Sequence, residues 1–334
     1  MTRRILVSVC ALVSVMAQAQ TPTKTQIGSK VWTARTPDGQ PDLQGIWSFA
    51  TLTPLERPAE LGSKEFFTQK EAADYEAEVL RRNNMDRRDG PAEADINRAY
   101  NDFWWDRGNR VVKTRRTSLV IDPKDGKIPS LTPAARERQA ERLSAIRGHD
   151  FDGPENRPLA ERCIIWPNTG PPMLPTAYNN NIRIVQSPGY VAILVEMIHD
   201  MRVIPLDNRP HLPASIRQLK GDSRGHWDSD TLVVETSNFV NRMAYRGVEV
   251  FQSLSLFASD RMQLTERFRR LDADTLLYQF TVTDPDTFTK PWTAEIPITR
   301  SPGPLYEYAC HEGNYAMMGG LAGARGAEGT QVAR

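Results

Sequence analysis

The sequence predicts a mainly β protein: an antiparallel β-barrel, or alternatively a β-sandwich, that follows a helix-containing N-terminal extension. Two observations support this fold class. From about Ile164 onward, strand-like segments follow one another at short spacing and are joined by turns. Before that point, two clear helix starts are present. We therefore expect an extension over residues 20–160, a barrel domain over residues 161–318 and a flexible tail over residues 319–334.

The helix starts in the extension follow from capping chemistry. Thr68 and Glu71 have the spacing of a capping box, which predicts a helix that runs to about Arg82. Thr132 is followed by Pro133, and an N-cap threonine with proline at the first helical position predicts a second helix.

We predict the strands from two sequence patterns: segments in which apolar and polar residues alternate, and short segments that are apolar throughout. The clearest hairpin has Asp272–Asp274 as its turn. The predicted strands are Leu43–Phe49, Thr117–Ile121, Asn181–Gln186, Tyr190–Ile198, Met201–Leu206, Thr231–Thr236, Met262–Leu271, Thr275–Thr283, Phe288–Thr299 and Leu305–Cys310.

The N-terminus has the pattern of a signal peptide over residues 1–19. Arg3 and Arg4 precede the apolar run Ile5–Met16, and Ala17–Ala19 is a small-x-small cleavage site. The run is shorter than the roughly 20 residues that a spanning helix needs. We therefore predict a periplasmic or secreted protein without stable membrane insertion; an uncleaved N-terminal anchor is the alternative.

The composition narrows the classes of partner. The formal net charge is +1 over 334 residues, and acids and bases are interspersed, so nucleic acid is not an expected partner. The sequence contains no Gly-x-Gly-x-x-Gly, phosphate loop or His-Glu-x-x-His motif. We expect a small-molecule ligand or substrate and no organic cofactor. A divalent metal held by His199, His226 and His311 is an open alternative; the oligomeric state is not indicated.

The cysteines predict a disulfide. The chain has three, and Cys10 lies in the predicted signal peptide, which leaves Cys163 and Cys310. A cysteine pair in an exported protein is most simply a structural disulfide. A reactive Cys310 beside His311 is the alternative.

Several motifs resemble those of an uncharacterised family of exported soil-bacterial proteins. They are Arg209–Pro213, Gly221–Trp227, Asp230–Thr236 followed by Asn238-Phe239, and Tyr306–Tyr315. The resemblance covers most of the chain after the signal peptide and implies no particular activity. Gly45-Ile46-Trp47, followed by many antiparallel strands, is similar to the lipocalin-like (calycin) barrels and implies a barrel of that kind.

Ionisable residues within apolar strands are candidate functional groups, because unpaired charges are rarely buried. His199 is followed by Asp200, which could orient the imidazole for acid–base catalysis. Arg202 could hold a substrate carboxylate or a developing oxyanion. A hydrogen-bonded turn at the rim of the barrel is the structural alternative.

Two further segments carry candidate acids and bases. His226 shares one face of an extended segment with Asp222 and Arg224, and Glu235 would point inward if Thr231 and Val233 did so. An ion-paired surface hairpin is the alternative.

Glu266 lies between Leu264 and Phe268 on one strand face, a position that suits a general acid. Tyr278, across the predicted hairpin, would line the same pocket and contact the substrate.

The segment Tyr306–Tyr315 combines the cysteine with more candidates. In an extended chain, Glu307 and His311 share one face, and Tyr306, Tyr308 and Cys310 share the other. We predict His311 as an acid or base and Glu307 and Asn314 as substrate-binding residues. Packing around a disulfide is the alternative.

These candidates predict an exported enzyme with His/carboxylate acid–base chemistry in a barrel pocket. Lyase, isomerase or hydrolase chemistry on a small, partly apolar or aromatic molecule is the expected class. A lipocalin-like binding protein for an apolar ligand is the alternative, and a structural, envelope-associated protein is a third.

Overall fold

The computed structural model describes residues 32–90, 101–240 and 259–332. The strands are β1 (Gly45–Ser48), β2 (Val120–Asp122), β3 (Asn181–Ser187), β4 (Tyr190–Val195), β5 (Met201–Pro205), β6 (Asp222–Asp228), β7 (Thr231–Ser237), β8 (Gln263–Arg270), β9 (Thr275–Thr283) and β10 (Trp292–Arg300). The helices are α1 (Gln69–Asn83), α2 (Pro133–Ile146) and α3 (Tyr315–Val332). The predicted signal peptide lies outside the described residues, and none of the helices within them could cross a membrane.

Nine strands form one antiparallel sheet that curls into a nearly closed barrel, in the order β5-β4-β3-β1-β10-β9-β8-β7-β6. The sheet combines two runs of sequential hairpins, β3–β5 and β6–β10. Between them lies β1, whose Trp47 pairs with Ile182 of β3 and with Arg300 of β10. β2 pairs with β10 as well. This architecture confirms the predicted mainly β, antiparallel fold and is consistent with a lipocalin-like barrel.

Side chains close the seam between β5 and β6, where the ordered sheet ends. Ile204 and Leu206 pack against Gly225 so closely that a Cβ atom there would lie 2.9 Å from Ile204 Cγ2 and 2.7 Å from Leu206 Cδ2. At the β4–β5 turn, Asp200 forms an ion pair with Lys220, which precedes β6. The seam therefore depends on packing and charge, while the other strand pairs have backbone ladders.

Large side chains fill the interior of the barrel. Inward positions alternate along each strand, as a two-residue period requires. Phe268 stacks on Tyr278 at 4.8 Å, Phe280 lies 5.7 Å from Tyr278, and Trp292 meets Phe280 edge-on at 5.5 Å. Trp47 is also fully buried. The interior of the barrel is thus lined with closely packed aromatic and aliphatic side chains.

A buried arginine closes one end of the barrel. The guanidinium of Arg270 lies 4.0 Å from the ring of Trp32 and 4.9 Å from the ring of Trp47. It donates hydrogen bonds to the carbonyl oxygens of Asp42, Asp272 and Ala273. The tryptophan of the Gly45-Ile46-Trp47 tripeptide is thus held between the core and a cation.

The helix starts in the extension are confirmed. Thr68 Oγ1 accepts a hydrogen bond from the Glu71 amide, and Glu71 accepts one from the Thr68 amide, as in a capping box. Thr132 Oγ1 accepts a bond from the amide of Ala135 at the start of α2. α1 buries Ala72 and Val79 against neighbouring apolar residues, which makes a second, smaller hydrophobic cluster outside the barrel.

Three segments differ from the prediction. Leu305–Cys310 is irregular rather than a strand, and the amide of Tyr306 donates to Glu196 instead of to a sheet neighbour. Tyr315–Val332 is helical, although its glycines suggested a flexible tail, because alanine and methionine between them favour the helix. Asp222–Asp228 is a full strand, although its charged residues and Gly225 conceal the apolar alternation.

The predicted disulfide between Cys163 and Cys310 is present, with a Cα–Cα distance of 5.8 Å. It joins positions 147 residues apart and holds the segment after β10 against the loop before β3. Tyr308 and Cys310 pack against the main core, so the bond anchors this segment at the barrel wall.

Replacing both cysteines should destabilise the protein, because the bond closes a long loop in the unfolded chain. For a loop of this length, the chain-entropy model gives a loss of about 5 kcal/mol for Cys163→Ser/Cys310→Ser. Urea unfolding of the oxidised protein and of the double variant measures the difference. Equal unfolding midpoints for the two proteins would contradict this role of the bond.

Candidate functional site

A network of three polar side chains lies inside the barrel. Arg202 of β5 donates to both carboxylate oxygens of Glu266 on β8, at 2.5 and 3.0 Å. The hydroxyl of Tyr278 on β9 donates to Glu266 Oε1 at 2.8 Å and accepts a bond from the amide of Met173 at 3.0 Å. The side chain of Glu266 has no solvent exposure, and that of Arg202 is 11% exposed.

The protonation states in this network follow from burial and charge. Burial lowers the pKa of Arg202, but the Glu266 carboxylate raises it by more, so the net shift is upward. Burial, together with the negative charge of Glu266, raises the pKa of Tyr278 well above its ordinary value. The tyrosine therefore stays protonated and acts as a hydrogen-bond donor.

The network satisfies its own hydrogen-bonding groups. Both oxygens of Glu266 accept bonds from protein donors, and the Tyr278 hydroxyl has an acceptor and a donor. The structure thus brings together three predicted site residues, Arg202, Glu266 and Tyr278, inside a filled core. Their geometry suits the stabilisation of a buried charge pair better than the binding of a substrate.

The predicted histidines lie on separate elements, and all three are exposed. His199 ends the turn between β4 and β5 with a φ of 42°, and Asp200 pairs with Lys220 instead of orienting it. His226 is on the outer face of β6 opposite Val233, and His311 lies in the irregular segment after β10. The site described below is lined by none of them.

The remaining predicted residues are Glu235, Glu307 and Asn314, and the first two face outward. Glu235 is exposed on β7, because Leu232, Val234 and Thr236 take the inward positions. Glu307 is exposed. Asn314 donates a hydrogen bond to the carbonyl of Glu161 at 2.8 Å, which ties the C-terminal segment to the chain near the disulfide. Within the described ranges, no group of three or more histidine, cysteine or acidic residues has the geometry of a metal site.

The structure reveals a histidine–aspartate contact that the sequence did not single out. His211 Nδ1 lies 2.9 Å from Asp222 Oδ2, which also accepts the amide of Leu212, and Arg224 contacts Asp222 Oδ1 at 2.6 Å. His211 and Asp222 belong to two of the motifs quoted above, but nothing local indicated that they meet. This cluster fastens the loop before β6 to the start of the strand.

The sequence did not predict a cleft of about 920 Å³ that lies on the outer wall of the barrel. Its floor is formed by the outer side of β1 and β10, including Ser48 and Thr299. One wall is α1, with Ala73 and Glu76, and the other is the segment 102–115. We call this space the lateral cleft.

A stacked tryptophan–arginine pair lines the lateral cleft. The Arg107 guanidinium lies 4.2 Å from the ring centre of Trp105, and its Nη1 donates to the carbonyl of Asn83 at 2.7 Å. Burial lowers the pKa of Arg107, and the nearby charge of Asp102 opposes this shift. Lys113 lines the same space and donates to the hydroxyl of Thr275 at 2.6 Å.

The acidic residues of the lateral cleft are engaged by backbone amides. Glu76 accepts the amide of Val111 at 2.9 Å, and Asp102 accepts the amide of Met85 at 3.2 Å. The Asp106 carboxylate accepts a hydrogen bond from the backbone amide of Asn180. Burial and the charge of Glu196 nevertheless raise the pKa of Asp106. These carboxylates therefore hold the cleft walls in place.

Neither protein-family models nor curated proteins nor solved structures include a match to this chain. Its function must therefore be inferred from the geometry of its own residues.

Breaking the interior ion pair from one side should strongly destabilise the fold. Glu266→Gln leaves the buried Arg202 charge without a counter-charge, at a cost of about 3–5 kcal/mol. The double variant Arg202→Met/Glu266→Leu removes both charges and should recover most of that loss. Urea unfolding measures both, with the exposed Glu235→Gln as control, expected within about 0.5 kcal/mol of wild type. A double variant no more stable than Glu266→Gln would contradict the coupling.

Removing the charge of Asp106 should stabilise the protein at neutral pH. The pKa of Asp106 is higher in the folded protein than in the unfolded chain, where it is about 3.9. This carboxyl group therefore stabilises the fold below about pH 3.9, and the stabilisation is lost as the pH rises through the folded-state pKa. Asp106→Asn should therefore melt slightly above wild type at pH 7 and match it at acid pH. Melting curves across this range test the sign; a lower melting temperature at pH 7 would oppose it.

Proposed function

We propose that this chain is a small-molecule-binding protein whose ligand occupies the lateral cleft. The main observation behind this proposal is the volume of the lateral cleft. It is about 920 Å³, and ligand sites in proteins range over roughly 300–1,000 Å³. The packed barrel interior supports the same proposal, since its aromatic core and ion pair occupy the space that a ligand would need.

The make-up of the lateral cleft supports binding. Trp105, Leu52 and Val111 contribute apolar surface, and Arg107 and Lys113 contribute charged groups. The lining thus mixes apolar side chains with polar and charged ones, which suits a ligand that has both apolar and charged parts. The barrel gives this wall a rigid backing, because the floor strands β1 and β10 are paired on both sides.

The enzyme hypothesis receives less support. Acid–base catalysis needs an acid, a base and a substrate position within hydrogen-bond reach of each other. His199, His226 and His311 are exposed on separate elements, and Glu266 is engaged in the core. We therefore favour binding without turnover. The disulfide is compatible with a protein that acts in the periplasm or outside the cell.

Filling the lateral cleft should abolish binding and leave the fold intact. Ala73 is an exposed residue of α1 that lines the cleft, so Ala73→Trp places an indole in the ligand space. Ala77→Trp is the matched control, because Ala77 is exposed on the same helix and does not line the cleft. Saturation-transfer NMR with a fragment set should show hits on wild type and Ala77→Trp that are lost on Ala73→Trp.

Melting temperatures of the two variants verify that both fold. Fragments that bind Ala73→Trp as well as wild type would place the site elsewhere. A wild-type protein that binds no fragment at millimolar concentration would also contradict the proposal.

A further inference from the structure

Two cations of the lateral cleft, Arg107 and Lys113, have neutral partners. Arg107 donates to a backbone carbonyl, and Lys113 donates to a threonine hydroxyl. In the part of the chain that the structure describes, neither forms a salt bridge with a carboxylate, and Arg110, which also lines the cleft, forms none either. Elsewhere arginines are commonly ion-paired, as Arg202, Arg224 and Arg157 are.

The carboxylates near these cations do not compensate them. Glu76, Asp102 and Asp106 each accept a backbone amide, so their oxygens are directed at the walls of the cleft. Asp102 interacts with Arg107 only through its longer-range charge. The lining of the cleft holds four cations, Arg107, Arg110, Lys113 and Arg115, against three carboxylates, so its formal charge is positive.

Arg107 is also partly withdrawn from water. One face of its guanidinium covers the indole of Trp105, and the residue is only partly exposed. A guanidinium that loses water without gaining a counter-charge is destabilised, and burial accordingly lowers the pKa of Arg107. An anion bound beside it would offset that cost, and guanidinium groups match the geometry of carboxylate and phosphate oxygens.

The apolar residues of the lateral cleft can contact the apolar part of a bound molecule. Trp105, Leu52, Leu80 and Val111 line the space beside the cations. We infer that the lateral cleft binds an organic anion, with an apolar body against these residues and a carboxylate or phosphate group on Arg107 and Lys113. This inference rests on the proposed binding function and specifies its ligand class.

Matched naphthalene compounds test the inference with the full-length protein. 2-Naphthoate and 2-naphthyl phosphate carry the two anionic groups on the same apolar body, and 2-naphthol is the neutral counterpart. Titration calorimetry should give at least one of the two anions a Kd about tenfold or more below that of 2-naphthol. The better of the two identifies the anionic group that the cleft prefers.

Variants then assign the charge to its residues. Arg107→Gln and Lys113→Gln should each weaken binding of the preferred anion by about tenfold and leave 2-naphthol unchanged. Arg81→Gln is the control, because Arg81 lies exposed on α1 in an ion pair with Glu78 and does not line the cleft. Its affinities should equal those of wild type.

The outcomes separate this inference from the proposed function. Equal affinities for 2-naphthol and both anions, all lost in Ala73→Trp, would overturn the anion preference and keep the binding site. Failure of all three compounds to bind, while fragments still bind in the cleft, would overturn it as well. Binding that Ala73→Trp does not affect would overturn both.

Discussion

The ion pair between Arg202 and Glu266 is the interaction on which the barrel depends. Two buried charges in an aromatic core are tolerated only if they meet, and here they meet with two hydrogen bonds. Arg202 belongs to the run β3–β5 and Glu266 to the run β6–β10, so the pair joins the two runs across the interior. The outer contacts of the seam, Lys220 with Asp200 and Gly225 with the side chains of β5, repeat this connection at the wall.

This constraint also explains why the candidate site lies outside the barrel. The same side chains that hold the runs together fill the interior, and Tyr278 extends the network to the backbone of Met173. In a hollow barrel, the ion pair of Arg202 and Glu266 would be exposed to water or would lack neighbouring side chains that hold it in place. The N-terminal extension provides the concave surface instead, with α1 and the segment 102–115 standing over β1 and β10.

Much of the fold could be predicted from the sequence, because strand alternation, capping boxes and hairpin turns are local signals. Thr68 with Glu71 and the β8–β9 hairpin are examples. The Cys163–Cys310 pair is not a local signal and was predicted from the number of cysteines. β6 was not predicted as a strand, because Gly225 takes an inward position and interrupts the alternation of apolar and polar residues. The inward residue is a glycine because the side chains of Ile204 and Leu206 pack closely against it.

The site was predictable only in part. Arg202 and Glu266 each stood out as charges in apolar strands, but their pairing over 64 residues follows from the closure of the barrel. The histidines were chosen for their polar neighbours, and neighbours in sequence do not determine which way a strand or turn faces. The lateral cleft combines β1, α1, β10 and the segment 102–115, none of which has a local pattern that indicates a cavity.

The position of β1 has a consequence for how the chain assembles. The hairpins of β3–β5 and of β6–β10 can form from neighbouring segments, whereas β1 must insert between β3 and β10, and its partner Arg300 lies at the far end of the chain. Contacts between such distant segments form slowly, since the entropy of closing the loop opposes them. We therefore expect β1, the first strand of the described residues, to be among the last strands to join the sheet. Until Gly45–Ser48 docks, the protein consists of two open sheets. The edge of β3 is then unpaired, and the edge of β10 is paired only with the short strand β2. Docking of Gly45–Ser48 is therefore the step that commits the chain to a barrel.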